Sequence, residues 1–161
     1  MYLMLPAKLI LIALVLPCFA QHVLTSKSLI ARIDKDGAKE VVRQLNTPSD
    51  REWNWVMDRI EAGSAEWLGV ADKLKPGTDA GFAEDLEIVV ARALVHNPNQ
   101  VLKMTGDTWK LERICGDYEI EEPAAKARRR KADVRLAMRR VVALDLQEKK
   151  AACLKAAEAE K

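Results

Sequence analysis

"TDAGFAEDLEIVVARALVHNP", residues 78–98, decides the fold class. Phe82, Leu86, Val89, Val90, Ala93 and Leu94 recur at the three- and four-residue spacing that puts them on one side of an α-helix. Thr78 or Asp79 supplies a side-chain oxygen for the orphan amides of the first turn. Asn97-Pro98 ends the run, because the residue before a proline resists the helical region, and Pro98 is suited to open another helix.

The pattern repeats on both sides. Upstream, Trp67, Leu68, Ala71 and Leu74 follow Ser64, and Trp53, Val56, Met57 and Ile60 follow Ser49 and Asp50. Ser49 with Glu52 matches a capping box, and Gly63 separates the two helices. A shorter helix spans 38–45 after a turn at 34–37, and "QHVLTSKSLI", residues 21–30, reads as a weakly structured lead-in. Downstream, Val101, Leu102 and Met104 anchor one short helix, and "DTWKLERIC" forms another capped by Asp107. "PAAKARRRKADVRLAMRRVVALD", residues 123–145, buries Ala127, Val134, Met138 and Val141, with Leu136, Val142 and Leu144 broadening that face. A last helix carries Leu146, Ala152, Cys153 and Ala157. Period-2 alternation is scarce, so the reading is all-α: seven or eight short helices, in an irregular bundle or a short HEAT- or armadillo-like stack.

Composition agrees. Hydrophobic residues are 49% and charged residues 31%, which suits one globular domain and excludes wholesale disorder. Net charge is +2, and losing Lys8 with a leader brings the 26 bases within one of the 24 acids. A strong nucleic-acid binder would carry a larger field.

"AKLILIALVLPCFAQH", residues 7–22, has the layout of a secretory signal. Lys8 gives the positive start, residues 9–16 the apolar core, and Pro17 the helix break; Cys18 and Ala20 are the small residues a signal peptidase needs. Cleavage is expected after Ala20, leaving residues 21–161 as one helical domain, periplasmic or secreted and free of the membrane. A retained anchor needs about 20 apolar residues, which the core lacks. A lipoprotein cut before Cys18 would need a small residue where Pro17 stands. After cleavage two cysteines remain, Cys115 and Cys153. An oxidising compartment favours a disulfide between them over two separate buried thiols.

The densest chemistry is "ICGDYEIEEPAAKARRRK", residues 114–131. Zinc would need three or four close ligands, but Cys115 has no CxxC partner, and His22 and His96 stand in no motif. Asp117, Glu119 and Glu121 alternate as in a calcium loop, yet Gly116 precedes them and the turn glycine is missing. No metal or cofactor is expected. Arg128, Arg129, Arg130 and Lys131 are consecutive, so a helix spreads them around its girth; they read as a solvated face, or else as a surface for an acidic partner. Glu121, Glu122 and Pro123 suit the start of that helix. No GxSxG, phosphate loop or HExxH is present. Trp53, Trp67 and Trp109 read as core anchors, whereas Trp55 sits off its helix's stripe and is the best contact candidate, together with Asp117, Tyr118 and Glu119 in the loop.

Residues 55–102, with the Gly63–Leu68 segment, the "GTDAG" loop at 77–81 and "AL..NP..VL" at 93–102, resemble an uncharacterised group of short secreted helical proteins of Gram-negative bacteria. A cysteine before a loop ending in Glu-Pro and a late cysteine, here Cys115 and Cys153, also match. The resemblance implies export, helices and a disulfide. Members of that group carry Pro-Phe-Ile-Glu after the first cysteine, where this chain has Asp117-Tyr118-Glu119-Ile120. The functional expectation is a non-enzymatic, exported protein-binding module; an immunity-type toxin inhibitor would be one form. The alternatives are an envelope enzyme with unrecognised acidic catalytic residues and a structural envelope component.

Overall fold

A computed structural model of the protein describes residues 24–116 and 123–159. Residues 1–20, expected to be a leader, lie outside the described residues with Cys18 and Ala20 among them, as do His22, Asp117, Tyr118, Glu119, Glu121 and Glu122. Nine α-helices and two 3₁₀ turns make up the described fold, with no strand among those residues. In chain order the helices are α1 (Ser26–Asp36), α2 (Ala38–Leu45), α3 (Arg51–Glu61), α4 (Ala65–Leu74), α5 (Ala80–Ala93), α6 (Pro98–Met104), α7 (Leu111–Cys115), α8 (Ala124–Arg139) and α9 (Gln147–Glu158). The eight expected helices are there, and α1 adds one ahead of them.

That first helix replaces the expected lead-in and the turn at 34–37. Thr25 accepts from the Ser28 amide and Ser28 Oγ from the Thr25 amide, a capping box with serine where glutamate is usual. Leu29 and Ile33 are the buried residues of α1, and Gly37 cuts its apolar stripe off from that of α2, which hides the helix in the sequence. Gly37, at φ +86°, lets the chain turn directly into α2. The Ser49–Glu52 box does not form; Asp50 takes the left-handed conformation at the start of α3 and makes no side-chain cap. Ser64 caps α4 as expected, Asp79 rather than Thr78 caps α5, and Asn97 caps α6 ahead of Pro98. Asp107 does not cap α7; that helix begins after Lys110 and spans little more than one turn.

Leu68, Val70, Ala71 and Leu74 bury α4 on several sides, because α1, α2, α3, α5 and α6 all pack on it. Elsewhere α3 lies on α5, and α9 on α7 and α8. A solenoid would join each repeat to its neighbours alone. One helix shared by five others makes this an irregular bundle around one apolar core. Trp53 is buried, meets Phe82 edge-on at 4.8 Å, and its indole N–H donates to Asp85 at 3.2 Å. Trp109 is buried and donates to Asp72 at 2.9 Å. Trp67 departs from expectation in being half-buried rather than a core anchor.

The expected broadening of the α8 face by Leu136, Val142 and Leu144 is overturned. These three side chains are 57%, 79% and 90% exposed. Leu136 lies on the outer side of α8, and the helix stops at Arg139. Residues 141–143 then run without helix, so the side-chain period falls to two: Val141 is buried, Val142 exposed, Ala143 half-buried and Leu144 exposed. Lys150 Nζ donates to the Val141 carbonyl at 2.9 Å, and the Gln147 amide to that of Ala143 at 2.8 Å. Those bonds hold the stretch so that its outward residues stay outward.

Candidate functional site

Two devices fix the C-terminal third. Cys115 and Cys153 form a disulfide, their Cα atoms 5.2 Å apart and both side chains fully buried, which ties α7 to α9. Just past Cys115, the guanidinium of Arg130, itself buried, donates to the Gly116 carbonyl at 2.6 Å. A β-carbon at Gly116 would collide with the Glu112 carbonyl oxygen, so the chain leaves α7 through a gap that suits glycine. At the far side of the acidic loop, the Pro123 carbonyl accepts from the Lys126 and Ala127 amides and starts α8. Both ends of the loop are therefore anchored.

A polar network braces the same region from the other side. Lys75 Nζ donates to Glu87 at 2.7 Å and lies 5.1 Å above the Trp109 ring. Arg113 reaches Glu87 at 3.2 Å. Burial acts to raise the Glu87 pKa, but Lys75 and Arg113 together outweigh it and hold the carboxyl below its ordinary range. The network joins the end of α4 to α5 and α7.

The most suggestive concavity runs between the end of α5 and one flank of α8. Asn97 braces the chain next to it: its carboxamide oxygen accepts from the Gln100 amide at 3.2 Å and its nitrogen donates to the Gly63 carbonyl at 2.9 Å. A β-carbon at Gly63, φ +77°, would press on His96 at 2.9 Å. The turn between α3 and α4 is thereby seated against residues 93–97. Beside it opens a hollow of about 340 Å³ with Ala91, Val95 and Val134 as apolar lining and Lys126, Arg129 and Arg130 among its bases. Sharing Val95 and Asp133 with it, a second hollow of about 520 Å³ is lined by Leu136, Ala137, Arg139 and Arg140. The Arg140 guanidinium donates to the Val95 carbonyl and links the two walls. Glu61, paired with Arg92 at 3.4 Å, and Asp133, 4.0 Å from Arg129, are the acids of this groove.

Chemically this is a concave apolar strip with a cationic rim. The run at 128–131 announced the bases, but consecutive residues point in different directions. Arg128 and Arg129 are exposed, Lys131 is half-buried and Arg130 is turned inward to Gly116. Residues 91–96, at and just past the end of α5, line the hollow with α8 from a distant part of the chain, and no local spacing signals it.

Of the sequence-derived contact residues, Asp117, Tyr118 and Glu119 lie outside the described residues. Trp55 is half-buried, meets Trp67 edge-on at 5.3 Å and carries the Arg59 guanidinium 4.9 Å above its ring. It borders a hollow of about 500 Å³ with Leu24, Thr47, Ser49, Arg51 and Glu52, so its surroundings are mixed rather than a flat apolar patch. Asp85, which lines another hollow, accepts from Trp53, and Asp34 meets Lys73 at 2.5 Å. Among the described residues no cluster of three or more His, Cys, Asp or Glu side chains could hold a metal ion, and no helix is long and apolar enough to cross a membrane. No protein-family model, curated protein or solved structure matches the chain.

Proposed function

We propose that this chain is an exported, non-enzymatic helical module that binds another protein through the outer side of α8 and the segment that follows it. The observation that carries the reading is the exposure of Leu136, Val142 and Leu144 within one stretch of nine residues, beside Arg139 and Arg140. They are the large hydrophobics left most exposed among the described residues, in a chain that otherwise buries its apolar side chains in one core. Aliphatic side chains held outward by a bonded backbone contribute nothing to folding, whereas apolar anchors beside arginine recur in protein interfaces. Export rests on the leader at 1–20 and on the Cys115–Cys153 bond, which suits the periplasm or the extracellular space.

The experiment is affinity capture from an envelope extract with the wild-type protein and with a Leu136→Asp, Val142→Ser, Leu144→Ser variant. The expected result is a protein enriched by the wild type and lost with the variant, at unchanged thermal stability. Equal recovery by both, or recovery of nothing, counts against the reading.

A further inference from the structure

We infer that the groove between α5 and α8 receives an acidic polypeptide segment with one aliphatic or aromatic anchor. The anchor fills the hollow at Val95, Leu136 and Ala137, and flanking carboxylates meet Arg129 and Arg139. The inference rests on the protein-binding reading above and adds the chemistry of the partner.

Three observations lead there. The first is charge. Between Ala124 and Arg139 the helix holds seven bases and a single acid, Asp133. Five of those bases fall at 126–131, toward the end where the helix dipole disfavours cations; no acid stands in the first turn, and Glu121 and Glu122 precede it in the sequence. Two acids do not offset five bases, and the surplus of positive charge along α8 suits an anionic partner. Arg129 is 86% exposed and no closer than 4.0 Å to Asp133, and Arg139 is exposed with no ion pair among the described residues. Both can turn to a partner without breaking a strong internal bond.

The second is shape. The two hollows share Val95 and Asp133 and together follow α8 from Lys126 to Arg140, a run of about 20 Å at 1.5 Å per residue. An extended peptide of about six residues covers that length. A bilayer surface is flat and would rest on the rims without reaching Val95 or Ala137.

The third is the lining. No Trp, Tyr or Phe contributes to either hollow, and His96 is the single ring among the residues that line them, so successive bases of a single-stranded nucleic acid find no run of stacking platforms. Instead the floor is Val, Ala and Leu, which suits an apolar side chain, and the rim is mostly arginine and lysine, which suits carboxylates.

The test uses the purified protein and a short fluorescent peptide of Glu and Asp around a central Leu-Phe pair. Its controls are the same peptide with Lys for the acids, the same peptide with Gly for Leu-Phe, phosphatidylglycerol vesicles and an oligothymidine. The acidic anchored peptide is expected to bind saturably and about tenfold tighter than either control peptide, a difference of about 1.4 kcal/mol. Leu136→Asp and Arg139→Glu should each weaken it about tenfold. Arg128→Glu makes the same charge change on α8 away from both hollows and should weaken it less than about threefold. Arg129→Glu provides a second reading should any variant lose its thermal transition. Absence of saturable binding, an equal loss with Arg128→Glu, or tighter binding to vesicles or oligothymidine overturns the inference. Should the peptide fail while envelope capture still depends on Leu136, the acidic chemistry falls and the protein-binding reading stands. Should capture also ignore Leu136, both fall.

Discussion

Glu87 answers to two cations at once, and its chemistry sets how the bundle responds to acid. Its carboxyl meets Lys75 at 2.7 Å and Arg113 at 3.2 Å, and its pKa lies below the ordinary value of 4.5. A carboxyl depressed in the folded state stabilises it fully above the unfolded pKa, and that contribution is lost as pH falls through the lower folded value. Glu87→Gln should therefore cost about 1–2 kcal/mol near neutrality and flatten the decline below about pH 4.5, as read by denaturant midpoints across the acid range. The bidentate pair of Arg135 with Glu158, at 2.6 and 2.7 Å, looks stronger on paper, but both side chains are half exposed and water screens them. Arg135→Ala should leave the midpoint nearly unmoved.

Glycines show the same discrimination. A β-carbon at Gly77 would collide with the backbone of Ala38 and Lys39, since α2 lies directly on the 3₁₀ turn at Lys75–Gly77. Gly69, inside α4, would meet nothing. Thermal unfolding should find Gly77→Ala destabilising by about 1–3 kcal/mol and Gly69→Ala stabilising by up to about 1 kcal/mol.

Elements with a wide apolar face were legible in the sequence, and narrow or interrupted ones were not. Helix α5 shows why: its spacing, its Asp79 cap and its Asn97-Pro98 exit all point the same way, and it forms where the pattern places it. Helix α1 escaped because Gly37 interrupts the stripe that runs from Ile30 and Ile33 into α2, and because its capping box uses Ser28 where glutamate is usual. The Ser49–Glu52 signature misled, since Asp50 turns left-handed and takes Ser49 out of position. In α8 the apolar pattern runs past the helix end, so a three-to-four spacing was read where residues 141–143 follow a two-residue one. That change of period turned expected core residues into surface anchors. The cationic run at 128–131 was visible, but its partner wall at 91–96 was not, because tertiary packing alone brings them together.

At the scale of the molecule, the disulfide joins a helix of little more than one turn to the last helix of the chain. A helix that short has little stability of its own, so α7 depends on Cys115, the buried Ile114 and the α9 surface it packs on. With the cysteines at a sequence separation of 38, loop closure is worth about 4 kcal/mol in the chain-entropy model. A Cys115→Ser, Cys153→Ser variant should lose about 2–4 kcal/mol in denaturant unfolding, and the intact protein should label with a thiol reagent at neither sulfur before reduction. Free sulfurs in protein recovered from outside the cytoplasm would contradict the pairing, and recovery from the cytoplasm alone would contradict the compartment proposed here.

The central claim is that the α5–α8 groove, rather than the Trp55 side, is the recognition surface. Backbone amide chemical-shift mapping during titration with the acidic anchored peptide tests it most directly. The account predicts saturating shifts confined to residues 91–97 and 126–144, with the amides around Trp55 and Trp67 unmoved. Shifts centred on residues 47–67, with α8 silent, would contradict it.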